Sequence, residues 1–416
     1  MTQAVPHIAL LCEYPTLSGG ERSMLAVLPG VIAAGYRVTV VAPPTGPLAE
    51  SLRRLHVDVI GFPELIAADA PAGKSRQSRL RERLADHLRY LRPDLLHANS
   101  LAMSRLAGPV VAESAARGVG HLRDIMRLSH RAVTDLNRLD RVLAVSHATR
   151  DYHVTGGLHA HRVRVLYNGV DLALFRPRRP SGYLHRELRL PSRPTPGATG
   201  VSPVPDGPHP DPLAEEKRPI LIASIGQICL RKGQDVFLKA ASRVANERGD
   251  VHFLVVGKRH STKRESREYE HRLRQFAEQK MPGRVHWLGS WADVARLLPE
   301  LTLLIHAARQ EPLGRVLLES AAAGVPVVAT DVGGTREIFP DGEAAIVPVD
   351  DSGAMADAAI ALLGDPTRRC AMSAAARRRA EGAFPIARAV EETLGHYSAL
   401  LFGAAPPPVN RSSCSR

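Results

Sequence analysis

Short apolar runs and helical patterns alternate along nearly the whole chain. The run "HIALL" at residue 7 gives way to "ERSMLAVLPGVIAAG", then "RVTVVA", "PLAESLRRL", "VDVIGF", "SRLRERLADHLRYLR", "DLLHA" and, further on, "RVLAVS" and "VRVLYN". Runs of β-branched residues separated by amphipathic helical stretches predict βαβ units that wind a parallel sheet. The alternation resumes at residue 220 with "ILIASIG", "QDVFLKAASRVANE", "VHFLVVG", a charged helical stretch over 262–280, "RVHWLG", "LTLLIHA" and "AAIVPV", and closes in three helical patterns up to residue 402. Two domains of one architecture follow, with no short repeat and no visible identity between them.

Between the halves the composition changes. Residues 176–219 hold 11 of the chain's 32 prolines, and repeated proline blocks helix and sheet ladders alike, so this is a linker or surface insertion. The expected organisation is an α/β chain with a first doubly wound domain over 1–175, the Pro-rich segment 176–219, a second doubly wound domain over 220–385, a helix over 386–402 that crosses back to the first domain, and an unstructured tail over 403–416. In open α/β sheets ligands sit beyond the carboxyl ends of the strands. Two such domains on a hinge are expected to face one ligand across a cleft.

At 416 residues there is chain enough for two cores. A net charge of +13 raises the question of nucleic acid, but the excess is spread: +6 over 1–175, +3 over 176–219 and +4 over 220–416. Much of it is arginine on helical patterns, the mark of solvated faces, and aromatic residues make up only 4%, too few for stacking platforms; no nucleic-acid partner is expected. Attraction to anionic substrates fits the charge, and the basic helix over 76–92 is compatible with peripheral contact at an anionic membrane, although a solvated amphipathic face is the favoured reading. Cys12, Cys229, Cys370 and Cys414 are far apart and show no ligand spacing, which fits a reducing cytoplasm. The start lacks a basic leader region, and no apolar run reaches about 18 residues.

Four stretches carry candidate chemistry. "QEPLGRVLLE" follows the strand pattern "LTLLIHA" and sets Glu311 before a proline, which biases it out of helical conformation; a helix is expected to start near Leu313, with Glu319 about two turns inside. The amides at that helix start, with Gly314 adding no bulk, can take a phosphate or sugar hydroxyl, and the two glutamates can accept hydrogen bonds from diols. On spacing alone a helix-dipole contact and a surface charge fit as well. In "DVGGTREI", Gly333 and Gly334 precede a helix and can form an anion nest or a plain turn. In "GQICLRKGQD", Arg231 and Lys232 stand where a strand meets a helix and can neutralise a diphosphate. In "TLSGGERSM", Gly19 and Gly20 open the first helix.

As an ordered set, "SGG", "VSHATR", "YNGVDLALFRP", "IGQICLRKG", "EPLGRVLLE" and "AAGVPVVATDVGGTREI" resemble the retaining GT-B glycosyltransferases of the glycosyltransferase family 4 group, over nearly the whole chain. The resemblance implies two Rossmann-like domains facing a cleft and transfer of a hexosyl group from a UDP- or GDP-sugar with retention of anomeric configuration. It implies that Glu311 meets donor-sugar hydroxyls, Glu319 the ribose, the segment Leu313, Gly314, Arg315 and Val316 the sugar and phosphates, and Lys232 the diphosphate. Gly19 and Gly20 match the first-domain loop near acceptor and phosphates, and His121 in "GVGHLRDI" the family's strand-end histidine facing the donor sugar. Gln227 stands where the family often has arginine, so that one charge contact is either missing or supplied by Arg231, and Leu313 stands where phenylalanine is common. Ser146 in "VSHATR" reads as a helix N-cap. The resemblance also implies that the leaving diphosphate takes the acceptor proton on the same face, with no carboxylate pair like that of a retaining hydrolase, no metal and no cofactor. The acceptor is a sugar, polyol or lipid-linked compound. A nucleotide-sugar epimerase, a phosphorylase and a catalytically silent sugar-nucleotide binder are the rival readings.

Overall fold

A computed structural model describes residues 5–62, 76–190 and 218–403. The chain divides into two compact units, one running to Gly169 and resumed from Ile386, the other spanning Val170–Pro385. Of the Pro-rich segment 176–219, residues 191–217 lie outside the described residues, as does the tail from 404.

The first unit is built on seven parallel strands: β1 (His7–Leu11), β2 (Arg37–Ala42), β3 (Asp58–Gly61), β4 (Leu95–Ala98), β5 (Arg117–Leu122), β6 (Arg141–Ala144) and β7 (Val163–Val165). Their spatial order is β3-β2-β1-β4-β5-β6-β7, so the winding reverses between β1 and β4. Sheets of this kind are covered on both faces, which is why the strands read as continuous apolar runs. On one face Met24, Leu28 and Val31 of helix Gly19–Ala33 and Leu394 and Tyr397 of helix Ile386–Leu401 pack over Ile8, Leu10, Val119 and Leu143. On the other, Leu80, Leu84 and Leu88 of helix Arg76–Leu91 pack with Leu96, Ala98 and Leu122. That leucine stripe at four-residue spacing leaves Arg83 and Arg89 on the exposed face, whereas Arg81 is largely covered and pairs with the buried Asp135 at 2.8 Å.

The second unit repeats the design with six parallel strands: β8 (Ile220–Ile225), β9 (Val251–Val256), β10 (Val285–Gly289), β11 (Leu303–His306), β12 (Val327–Thr330) and β13 (Ala345–Val347), in the order β10-β9-β8-β11-β12-β13. Here the reversal falls between β8 and β11, whose register pairs Leu303 with Ile222. Phe237, Phe253, Ile222 and Ile305 lie in its hydrophobic core. Just ahead of the undescribed stretch, the amides of Ser181 and Gly182 donate to the Glu300 carboxylate at 2.6 and 2.9 Å. Both sheets are therefore Rossmann-like, and each has a switch point where ligands gather at strand carboxyl ends. Among the described residues no helix is long and apolar enough to cross a membrane.

Candidate functional site

At the switch point of the second unit, the loops after β8 and β11 bring opposite charges together. After β8 the chain passes through a single 3-10 turn, Leu230–Lys232, into helix Gln234–Glu247, which leaves Arg231 and Lys232 at the strand's carboxyl end. After β11, Glu311 folds back so that its Oε2 takes an ion pair from Lys232 Nζ and lies 2.8 Å from His306 Nε2. Both His306 and Glu311 are buried. Burial pulls the Glu311 carboxyl upward, but Lys232 and His306 outweigh it and hold the group far below the usual carboxylate range. Burial keeps the His306 imidazole below its ordinary value, against the pull of Glu311. A carboxylate can only accept, so the neutral ring donates through Nε2–H.

The loop after β11 is tied down from both sides. Arg309 donates to the carboxylate of Asp235 at 2.7 and 2.9 Å, to the carbonyl of Leu230 at 2.8 Å and, through its amide, to the carbonyl of Arg231 at 2.8 Å. Arg309 also pairs with Asp350 at 2.6 Å. The guanidinium of Arg231 makes no hydrogen bond or ion pair among the described residues, so it is available to an anion. Arg231 and Lys232 thus differ: one is poised, the other already paired.

The helix carrying Glu319 begins at Arg315 and not near Leu313. Gly314 takes a φ of +92°, a left-handed conformation that interrupts helical geometry and leaves Pro312 and Leu313 outside it. Glu319 is consequently the fifth helical residue, one turn inside, where its Oε1 accepts from Arg315 at 2.8 Å. No side chain caps this helix start; Gly314 is buried there, and Arg315 and Val316 are half-buried. Leu313 is buried.

The glycine pair behaves differently from an open nest. The amide of Gly334 donates to the Glu311 carbonyl at 3.1 Å and that of Thr335 to the Val332 carbonyl at 3.1 Å. A Cβ at Gly334 would stand 2.6 Å from the carbonyl oxygen of Pro312. Gly334 therefore braces the Glu311 loop by close backbone approach, and Gly333 supplies the left-handed turn with φ +54°.

In the first unit, Gly19 and Gly20 open the helix after β1, as read from sequence, and the Ser18 hydroxyl turns to Glu21 instead of capping it. Ser146 does cap its helix, accepting from the Thr149 amide at 3.0 Å. His121 is the penultimate residue of β5, and its ring lies on the sheet face beneath helices Gly19–Ala33 and Ile386–Leu401, stacked on His97 with ring centroids 5.4 Å apart. The group that stands just past the strand end is Arg123, which sequence reasoning missed. Its guanidinium donates to Asn99 Oδ1 and Asn168 Oδ1, both at 3.0 Å, to the Asn99 carbonyl at 3.2 Å and to His121 Nδ1 at 3.2 Å. Burial, with Arg123 beside it, keeps His121 neutral. His121 Nε2 and His97 Nε2 are buried without a hydrogen-bond partner among the described residues. Also among these residues, no group of three His, Cys, Asp or Glu side chains could hold a metal ion.

The profile described as "Glycosyltransferase Family 4" matches residues 17–174, and the one described as "Glycosyl transferases group 1" matches residues 219–365. The chain is 27% identical, over 80% of its length and 74% of the relative's, to a GDP-mannose-dependent monoacylated alpha-(1-6)-phosphatidylinositol monomannoside mannosyltransferase of Corynebacterium glutamicum. It is 26% identical to a GDP-mannose-dependent alpha-mannosyltransferase of Mycobacterium tuberculosis, over 95% of this chain and 97% of that one. Among solved structures, Anabaena HepE in complex with UDP-glucose superposes with a TM-score of 0.77 at 21% identity, covering 94% of this chain and 99% of that one. WaaG, a glycosyltransferase involved in lipopolysaccharide biosynthesis, does so at 0.67 and 17%, covering 95% and 100%. The chain therefore belongs to glycosyltransferase family 4, the group 1 glycosyltransferases, and is a GT-B enzyme that takes its sugar from a nucleotide-sugar donor.

Proposed function

We propose that the chain transfers a mannosyl group from GDP-mannose to a hydroxyl of a polyol or glycolipid headgroup, with retention of anomeric configuration. The observation that carries the donor site is the meeting of Lys232, Arg231 and Glu311 at the switch point beside the uncapped helix start at Gly314. The guanosine and mannose assignment draws support from the two relatives named for GDP-mannose-dependent transfer.

In this reading Arg231 and Lys232 neutralise the diphosphate, and the amides of Gly314, Arg315 and Val316 take the remaining phosphate and sugar oxygens. Glu311 accepts from sugar hydroxyls, and Glu319 accepts from the ribose diol. The bond from C1 of the sugar to the diphosphate oxygen breaks while the acceptor oxygen bonds C1 on the same face, and the acceptor proton passes to the departing phosphate. The protein's contribution is positioning and stabilisation of the charge that grows on that phosphate. In the first unit, the polar rim formed by Arg123, Asn99, Asn168 and the helix start at Gly19 and Gly20 is assigned to the acceptor, and His121 to the same group of residues through its link to Arg123. The reaction is assigned to the cytoplasm, at the membrane face when the acceptor is lipid-linked.

The test is thermal stabilisation of the full chain by GDP-mannose, UDP-glucose, ADP-glucose and TDP-glucose, followed by product analysis of the anomer. Saturable stabilisation by GDP-mannose above the others is expected, with an α-linked product. Stabilisation by a uridine donor alone would overturn the guanosine assignment, and a β-linked product would overturn retention.

A further inference from the structure

Glu311 divides its two oxygens unequally. Oε2 is held twice, by Lys232 Nζ and by His306 Nε2–H at 2.8 Å. Oε1 makes no hydrogen bond among the described residues and is not fully enclosed, although the side chain as a whole is only 7% exposed. His306 is the last residue of β11, only 4% exposed, and so fixed by the sheet rather than by the loop it supports.

This geometry bears on what happens when a donor arrives. Lys232 cannot give its charge fully to a diphosphate while it is the sole partner of a buried carboxylate, because an uncompensated buried charge is strongly unfavourable. A second donor on the same oxygen removes that conflict. We propose that His306 is a positioning residue for the donor sugar: it holds Glu311 Oε2 while Lys232 turns to the diphosphate, and so keeps Oε1 aimed at a sugar hydroxyl. The proposal rests on the reading above, in which Lys232 meets the diphosphate and Glu311 the sugar.

Two consequences separate this role from a merely structural one. The imidazole acts on the sugar through Glu311 and does not touch the nucleotide, so its loss weakens binding of the nucleotide sugar and spares the nucleotide alone. Only the N–H matters, so a glutamine, whose amide nitrogen occupies a position similar to Nε2, restores the effect.

The experiment is calorimetric titration of the full chain with GDP and with GDP-mannose, or with UDP and UDP-glucose if the donor screen selects uridine, using wild type, His306→Leu, His306→Gln, Glu311→Ala and Lys232→Met. Relative to wild type, His306→Leu is expected to weaken nucleotide-sugar binding about 10-fold while nucleotide binding stays within about twofold, the range of one lost charge-assisted hydrogen bond. His306→Gln is expected to recover most of that loss. Equal weakening of nucleotide and nucleotide sugar in His306→Leu, or no weakening of either in a folded variant, overturns the proposal, as does a glutamine that fails to rescue. Glu311→Ala reports on the underlying assignment: if it does not weaken the nucleotide sugar selectively, Glu311 is not the sugar contact and both readings fall. If it does and His306→Leu does not, the role of His306 alone falls.

Discussion

The chemistry of the donor site comes down to how one carboxylate is partnered. Glu311 sits buried between a lysine from the loop after β8, 79 residues away in sequence, and a histidine from the end of β11, five residues back. The lysine is the partner with a second task. Replacing Lys232 by methionine keeps the stem and removes the charge, so a diphosphate loses a charge-assisted contact while the fold keeps its packing. Nucleoside diphosphate and nucleotide sugar are both expected to bind about 10- to 100-fold more weakly, the range given by roughly 1.5–3 kcal/mol for a charged hydrogen bond. Titration calorimetry measures it, and unchanged GDP affinity in the folded variant would remove Lys232 from the diphosphate site.

Among the elements, the turn between β12 and the short helix Thr335–Ile338 decides where the Glu311 loop sits. Gly334 has no Cβ, which lets its backbone approach Pro312 and Leu313, and its amide closes onto Glu311. Gly334→Ala would push a methyl against the Pro312 carbonyl and the Leu313 Cα, 2.6 and 2.9 Å away. Backbone on both sides leaves little room to yield, so a loss of about 1–3 kcal/mol is expected, as for other overpacked sites. Gly382→Ala makes the contrast, since a Cβ there meets nothing within 4 Å inside helix Pro366–Ala383. That change is expected to stabilise by about 0.5–1 kcal/mol, through lower backbone entropy in the unfolded chain. Denaturant midpoints of the two variants should move in opposite directions. A shift of the same sign would show that close approach at Gly334 is not what holds the loop.

For the molecule as a whole, buried histidines set the response to acid. Burial, then Arg123 and His396, lower His97 to about 3, and burial first lowers His252 and His396 to about 4. His121, His153 and His306 are lowered as well, again by burial first. Each is neutral in the folded chain and takes up a proton once unfolded, below the ordinary value of about 6.5. The unfolded state therefore binds more protons as the pH falls, and stability drops from about pH 6.5 downward, by up to about 1.4 kcal/mol per pH unit for each fully depressed histidine. Glu311 adds to this in the same direction, because its folded-state value is also depressed and its contribution is lost as the pH falls below the ordinary carboxylate range. The urea midpoint is expected to be lower at pH 5.5 than at pH 8; equal midpoints would contradict the neutral burial of these rings.

Much of this was legible in the residues themselves. The alternation of β-branched runs with amphipathic helices is a local pattern, set by periodicity and burial on two faces, so it announced two Rossmann-like sheets and the strand ends after which Arg231, Lys232 and Glu311 stand. Glycines beside strand ends marked the loops where these groups meet. What they do there was not legible: Gly314 could be seen to lack bulk, but not that its left-handed φ delays the helix to Arg315, and Gly334 could be seen as half of a nest, but not that its amide is spent on Glu311. His306 and Arg123 escaped notice because each ends or follows a strand with nothing local to mark it. His306 matters through a carboxylate that folds back onto it from five residues on, and Arg123 through asparagines that other strands of the sheet carry alongside it. The sequence alone determined the class of fold, the order of its elements and the charged residues at their ends, because those depend on neighbours a few positions apart. Only the tertiary structure decided that Lys232 and His306 share one oxygen of Glu311 and that Arg123 fastens onto Asn99, Asn168 and His121, because hydrogen bonds and ion pairs form only between groups the folded sheet has brought within about 3 Å of each other.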